Sequence, residues 1–520
     1  MKSSENLFHL IKSLDQTEKS YFKKFASQHC NDEKPNYLKL YTAINKQKKF
    51  NEDEIIKQFS GQIWVKNFSR EKNYLYNLIL KSLRNYHAES SADMQIKGLL
   101  QDIEILYKKA LYKQCAKLIA KAKKIAKNFE KQSLLLEIIK WEKLIYFSGK
   151  IADYLQNVIN DEGQILKLIN EKHQHHQLLS RFYDLTKNES LIRTRKDVEL
   201  IKEIFKHPLV KGYEMPQSIE AKLLYYNIYS AFFHVIGEYR SGYYFCEKWI
   251  VLLESHPALI NENPINYINA LNYYLFTLDN NSEAFFSNLQ KLKEIPEKFH
   301  RARNKRIEAA INTRYYNIFL ALHNQTGNFK KSIALIPEIK KCLTLFRGKM
   351  NKYYELMLHL RIANAYFALK DYTNALYWLN PIMKDKGKDG RQDLYGFAMI
   401  LNLIIYHEQS FDNYKMHDNF EKLIITTYSF FLKRNRIYDF EYRVINFFKE
   451  QIRNISTNKD LVKALIPLKK ELSERLKAPF ERKALEYFDF ISWMESKIEN
   501  KSMGEIIKGK FPIFSDRNYS

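Results

Sequence analysis

The stretch IANAYFALKDYTNALYWLNPIM, residues 362–383, carries its apolar residues in two phased sets. Ile362, Tyr366 and Leu369 fall at i, i+4 and i+7, the spacing of one helix face. The polar KDY breaks the phase, and Ala375, Leu379 and Ile382 resume it on a second helix. So short a turn makes the two helices antiparallel neighbours. Tyr372 opens the second helix and is expected to fill the space between them. Ala375 is expected at their closest approach.

The same alternation recurs along the chain. Residues 1–90 read as about five helices. In SLDQTEKSYFKKFA, Asp15 and Glu18 stand at capping-box spacing, and Tyr21, Phe22 and Phe25 follow as an aromatic face. REKNYLYNLILKSLRNYH carries Leu75, Leu78, Ile79 and Leu83 on one side. Residues 401–502 read as long helices and 503–520 as a loose tail. Pro337 and Pro381 fall inside expected second helices, where proline kinks or ends a helix.

The 362–383 pattern resembles a tetratricopeptide repeat, a helix–turn–helix unit with small and aromatic residues at fixed offsets. Ala363 takes its small position, Tyr366 and Tyr372 its aromatic positions, Ala375 its alanine and Leu379 its apolar position. Similar units place Tyr107 with Ala116, Phe233 and Gly237 with Tyr239 and Gly242, and Gly327 with Phe329 and Ser332. Another sets Leu275 with Ala284 and Pro296, and weaker ones surround Gly149 and Tyr183. The units lie about 38 to 50 residues apart, against a family period of 34, so their helices or loops are longer than usual.

The resemblance implies an all-α fold: a superhelix of antiparallel helix pairs over about residues 95–400, with helical caps at 1–90 and 401–502. It implies a non-enzymatic scaffold whose concave groove holds a protein or peptide partner, an acidic one included. In that family the first helix of each pair lines the groove and its fifth position points into it. Those positions are here Gln101, Ile139, Gln177, Asn227, Asn269, Asn317 and Leu360. Five of the seven are amides, which offer donors and an acceptor to an extended backbone. Tyr273, Phe276 and Phe367 would add apolar contacts. Chance recurrence in an asparagine-rich chain is the alternative.

Composition narrows the partner. The 520 residues carry a net charge of +25, from 64 lysines and 20 arginines against 59 acidic residues. A polyanion partner is one reading. The other is compositional drift, since arginine, the residue suited to bidentate phosphate contacts, is the minority. The line Lys113, Lys117, Lys121 and Lys124 and the cluster FHRARNKR (299–306) carry the same two readings. The helix bearing that line has an apolar stripe of Leu118, Ala122, Ile125 and Phe129.

A helix-turn-helix over residues 51–87 would place Arg70, Lys72, Asn73 and Asn77 at the start of a recognition helix. Its turn GQIWVKNF is longer than usual, and Ile63, Trp64 and Val65 read as a buried connector. This makes a nucleic-acid-associated regulator the second reading of function.

Few residues suggest chemistry. GxxxxGK, GxGxxG, HExxH and GxSxG patterns are missing, and no catalytic residue, cofactor or metal is expected. His173 and His176, with Asp184 near, fall short of the three or four ligands zinc takes. Cys30, Cys115, Cys246 and Cys342 form no CxxC pair and read as reduced thiols of a cytoplasmic protein. Neither a signal-peptide core nor an apolar run of membrane-spanning length is expected. Fourteen glycines and eleven prolines suit long helices better than strands.

Overall fold

The computed structural model describes residues 3–28, 35–148, 152–188, 195–211, 215–280, 282–386, 392–410, 417–433, 439–451, 455, 457–478 and 481–515. Every regular element among them is helical, so the all-α expectation holds. The chain divides into two compact units, residues 1–166 and 167–520. Gly149 and Cys30 lie outside the described residues.

The first unit runs through α1 (Ser3–Ser13), α2 (Gln16–Ser27), α3 (Asn36–Lys46), α4 (Glu52–Gln58), a 3-10 turn (Ile63–Asn67) and α5 (Phe68–Tyr86). It continues with α6 (Ala92–Lys108), α7 (Tyr112–Asn128), α8 (Gln132–Ser148) and the start of α9 (Ala152–Asn188). The capping box forms as read: Glu18 N donates to Asp15 Oδ1 at 2.7 Å, and Asp15 N to Glu18 Oε2 at 2.9 Å. Leu7, Ile11, Phe22, Tyr41, Ile44, Leu75 and Ile79 make its core.

Two expectations shift here. Trp64 is buried and Val65 packs half-buried against the same core, but Ile63 is 84% exposed. On α7 the buried face is Cys115, Ile119, Ala122 and Ala126, and Ala116 is exposed. Tyr112 opens α7, and the buried small residue three positions on is Cys115.

The second unit takes up the end of α9 and continues with α10 (Arg195–Ile204), α11 (Pro208–Lys211), α12 (Ile219–Ile236), α13 (Tyr239–Glu254), α14 (Pro257–Glu262) and α15 (Pro264–Thr277). Then come α16 (Glu283–Lys298), α17 (Lys305–Gln325), α18 (Phe329–Ala334), α19 (Ile336–Leu345), α20 (Lys352–Ala368) and α21 (Tyr372–Asp385). The unit closes with α22 (Gln392–Ser410), α23 (His417–Lys433), α24 (Asp439–Gln451), α25 (Asn458–Arg475), a 3-10 turn (Glu481–Glu486), α26 (Phe490–Ile498) and α27 (Met503–Ser515). Residues 503–515 are thus helical rather than a loose tail, because Met503, Ile506 and Ile507 bury an apolar face.

One turn recurs. Ala110, Gly237, Gly327 and Lys370 all have positive φ, between 58° and 78°, and each stands two residues before a helix. The next residue's N–H donates to a carbonyl five residues back: Leu111 to Leu106, Glu238 to Phe233, Asn328 to His323 and Asp371 to Tyr366, at 2.8–3.0 Å. That is the Schellman closure of a helix C-terminus. An aromatic residue then opens the following helix (Tyr112, Tyr239, Phe329, Tyr372), and three residues on a small side chain is buried (Cys115, Gly242, Ser332, Ala375). A Cβ on Gly242 would lie 3.1 Å from Phe233 Cβ, which shows how closely the paired helices approach.

Ala375 is fully buried, as the pattern requires, whereas Leu369 is 38% exposed. Ala284 is exposed, and Phe285 and Asn288 take the packed positions of α16. Pro337 splits the expected second helix into α18 and α19, while Pro381 is accommodated inside α21.

Candidate functional site

In the second unit the first helices of the pairs, α12, α15, α17 and α20, lie side by side, each touching the next. Their shared faces are polar. Tyr183 of α9 donates to Asn227 Oδ1 of α12 at 3.5 Å. Arg314 of α17 donates to Asn269 Oδ1 of α15 at 2.9 Å and stacks on Tyr354 of α20, 4.4 Å from the ring centroid. Asn317 Nδ2 donates to Tyr354 O at 2.9 Å, and Asn324 Nδ2 to Arg361 O at 2.8 Å. Two asparagines seven residues apart thus grip two carbonyls seven residues apart on the neighbouring helix.

This places the amides read from the sequence. Asn227, Asn269 and Asn317 each make a bond between neighbouring helices: α9 to α12, α17 to α15 and α17 to α20. Asn317 is 7% exposed, and its Nδ2 donates to Thr313 O and Tyr354 O, both inside the helix stack. A free ladder awaiting a peptide backbone is therefore not what Asn317 offers. The Asn317 NH2 group is satisfied there by the two carbonyls, while its Oδ1 is buried without a partner. Ile139 and Leu360 are buried, and Gln101 and Gln177 are exposed.

The expected aromatics gather further along. Tyr273 and Phe276 of α15 lie 5.3 and 5.0 Å from the His234 ring at the end of α12. Burial, with the Lys483 charge beside it, pulls the His234 imidazole down to about 3. Burial raises Tyr273 well above the ordinary phenol value, and its hydroxyl is linked to that of Tyr183.

The occupant of this face is the chain itself. Lys483 of the Glu481–Glu486 turn donates through Nζ to His234 O. Tyr239 donates to Glu486 Oε1 at 2.6 Å. Asn364 Nδ2 of α20 donates to Tyr487 O at 2.7 Å. Tyr487 donates to Asp393 Oδ2 at 2.8 Å and stacks on Phe397 at 4.6 Å. Phe367, the third expected aromatic, meets Phe488 at 5.2 Å. Burial raises the Glu486 carboxyl, but Lys483, His234, Tyr239 and Arg361 outweigh it and the net direction is down. Sequence reasoning missed Arg314, Arg361 and Asn364. R-x-x-N occurs at 314–317 and 361–364, but also at 70–73, 301–304 and 443–446, so the sequence carried no signal specific to these residues.

The other candidates fare differently. Lys72 is buried, with Nζ 2.8 Å from both Glu52 oxygens and 4.9 Å from the Phe68 ring, so it is an ion-pair partner inside the first unit. Arg70, Asn73 and Asn77 are exposed along α5. Lys113, Lys117, Lys121 and Lys124 are exposed. Of the histidine run, the buried member is His175, bonded through Nδ1 to Glu171 O at 2.8 Å. Among the described residues no group of three or more His, Cys, Asp or Glu is placed to hold a metal, and no helix is long and apolar enough to cross a membrane. In the 299–306 cluster, Arg301 pairs with Glu262 and Arg303 caps the Pro296 carbonyl. No family model, curated protein or solved structure matches the chain.

Proposed function

We propose that the protein is a non-enzymatic helical-repeat scaffold of the tetratricopeptide type, and that the first-helix face of its second unit is the inner face that holds a protein or peptide partner. The observation that carries this reading is the repeated turn. Gly237, Gly327 and Lys370 close three helices identically, and an aromatic and a buried small residue follow at the same offsets. Stacked pairs of this kind leave a continuous face made of one helix per pair. Link lengths between first helices are 37 residues for Asn317–Tyr354 and 45 for Asn269–Arg314. The units are thus longer than the 34-residue family period and uneven.

The buried free thiols of Cys115, Cys246 and Cys342 suit a protein working in the reducing cytoplasm. The test is retention of a partner by the full chain, purified from its own cells, across a salt series and with nuclease. A groove-bound protein partner stays through nuclease and from 50 to 200 mM salt. Loss by nuclease, or a fall of about a thousandfold over that range, would instead mark nucleic-acid binding through exposed groups such as Arg70, Asn73 and Asn77.

A further inference from the structure

We infer that the Arg314 cluster on the first-helix face is the anchor point of the partner, and that it takes the side-chain carboxylate of an aspartate or glutamate in the bound segment. This rests on the scaffold reading above and names the chemistry the partner must carry.

Charge singles out Arg314. The buried cations among the described residues are Lys72, Arg314 and Lys483. Lys72 bonds both oxygens of Glu52, and Lys483 has the Glu486 charge beside it. No carboxylate among the described residues pairs with Arg314, whose partners are neutral. Its Nη1 donates to Ala310 O at 3.3 Å and its Nη2 to Asn269 Oδ1 at 2.9 Å, while its flat face rests on the Tyr354 ring. Burying a charge is costly unless an opposite charge meets it, so the missing half of this pair is expected from outside the chain. Each terminal nitrogen keeps one N–H without a protein acceptor, which is enough for a two-point bond to a carboxylate.

The surroundings suit such a ligand. Tyr183 is 42% exposed, so the cluster opens to solvent at that edge. Its hydroxyl lies within range of the Arg314 charge and is linked to that of Tyr273. Its bond to Asn227 is long at 3.5 Å, so the hydroxyl can turn toward an incoming oxygen. Burial raises both phenols above the ordinary value, which keeps them protonated and able to donate. Asn227, Asn269 and Tyr354 stand seven residues, or about 10 Å, before His234, Phe276 and Arg361, on the same helices. Residues 481–488 fasten to the far end of the face, at His234 O and Asn364. One recessed guanidinium among phenols and amides fits one small anion, whereas a phosphodiester chain calls for a line of exposed cations.

The test uses the full chain and a short fluorescent peptide of alternating alanine and glutamate with amidated ends. A twin carries glutamine in place of every glutamate. Wild-type protein should bind the glutamate peptide about thirtyfold tighter than its twin, as expected for a desolvated charge pair. Arg314→Gln should lose the glutamate peptide by about the same factor. Tyr183→Phe, which removes only a hydroxyl at the exposed edge, should lose it by about tenfold. Arg306→Gln, exposed on the same helix, should bind as wild type does. Equal binding of the two peptides by wild type, or unchanged binding by both Arg314→Gln and Tyr183→Phe, would overturn the inference. A phosphoserine version of the twin that binds tighter than the glutamate peptide would also overturn it, and assign the cluster to phosphate. Without peptide, Arg314→Gln should melt no lower than wild type, because it removes an unpaired buried charge. A lower melting temperature with unchanged peptide affinity would make Arg314 a fastener between helices and nothing more. A chain that retains its partner through nuclease while Arg314→Gln leaves peptide binding unchanged sinks this inference alone. Loss of partner retention to nuclease sinks the scaffold reading instead.

Discussion

Ala375 sits fully buried between α20 and α21, at a position where the other pairs carry Gly242, Ser332 or Cys115. Ala375→Leu should therefore overpack the pair at a cost of about 1–3 kcal/mol. Thr373→Leu, two residues away on the exposed side, should be nearly neutral. Urea midpoints of the two variants measure the difference, and equal midpoints would contradict close approach at this site. His359 supports a second residue-level prediction. Its ring faces Trp378 at 5.1 Å, and burial, with Lys352 adding to it, lowers it from the ordinary 6.5 to about 4. Between those values the unfolded chain holds a proton that the folded chain does not, so stability falls as pH falls through that window. The loss from pH 7 to pH 5 is about 2 kcal/mol for this group. His359→Leu should lose correspondingly less between the two pH values in the same urea measurement.

At the scale of elements, the recurring turn makes opposite predictions at two of its positions. Gly327 has φ +69°, and a Cβ there would stand 2.6 Å from Gly504 O at the start of α27. Gly327→Ala should cost about 1–3 kcal/mol and loosen α27. Lys370 holds the same conformation with a side chain, so Lys370→Gly should be neutral or gain up to about 1 kcal/mol. Thermal melting of both full-length variants checks the pair. The seam between first helices is the other element-level device. Asn317→Ala leaves Tyr354 O without its extra donor and should cost about 1–2 kcal/mol. Double-mutant coupling of Asn317 with Asn324 should then show whether the two grips act together.

How much of this was legible follows from range. The capping box at Asp15 and the pair at 362–383 are local patterns, and both were readable. The register of α7 was not, because Cys115 and Ala116 are both small and only packing against α6 separates them. The amides of 227, 269 and 317 were readable as a recurrence. Their engagement was not, since the acceptors lie on other helices, as with Tyr354 O for Asn317. Glu486 was invisible for the same reason, its partner Tyr239 being 247 residues away.

For the whole molecule the charge of +25 invites a polyanion, and the structure separates the bases that are free from those that are not. Lys113, Lys117, Lys121 and Lys124 are exposed together on α7, whereas Lys72 and Arg301 are committed to ion pairs. Reversing the four α7 lysines to glutamate should change stability by no more than about 2 kcal/mol, at about 0.5 kcal/mol for each exposed substitution. Retention on heparin at low salt should also be unchanged if the line is a solvated face, and its loss would assign the line to a polyanion.

The long-range seat of residues 481–488 also bears on the order in which the protein is made. Helices α12 to α20 are complete more than a hundred residues before Tyr487 is added, since Asn364 and Tyr487 are 123 residues apart. At about 5–20 residues per second, that interval lasts roughly 6–25 s. Throughout it the nascent chain presents the face with no segment of its own to cover it. Closure of this face over Asn364 and Phe367 is thus a late step of synthesis, made only when Tyr487 and Phe488 arrive.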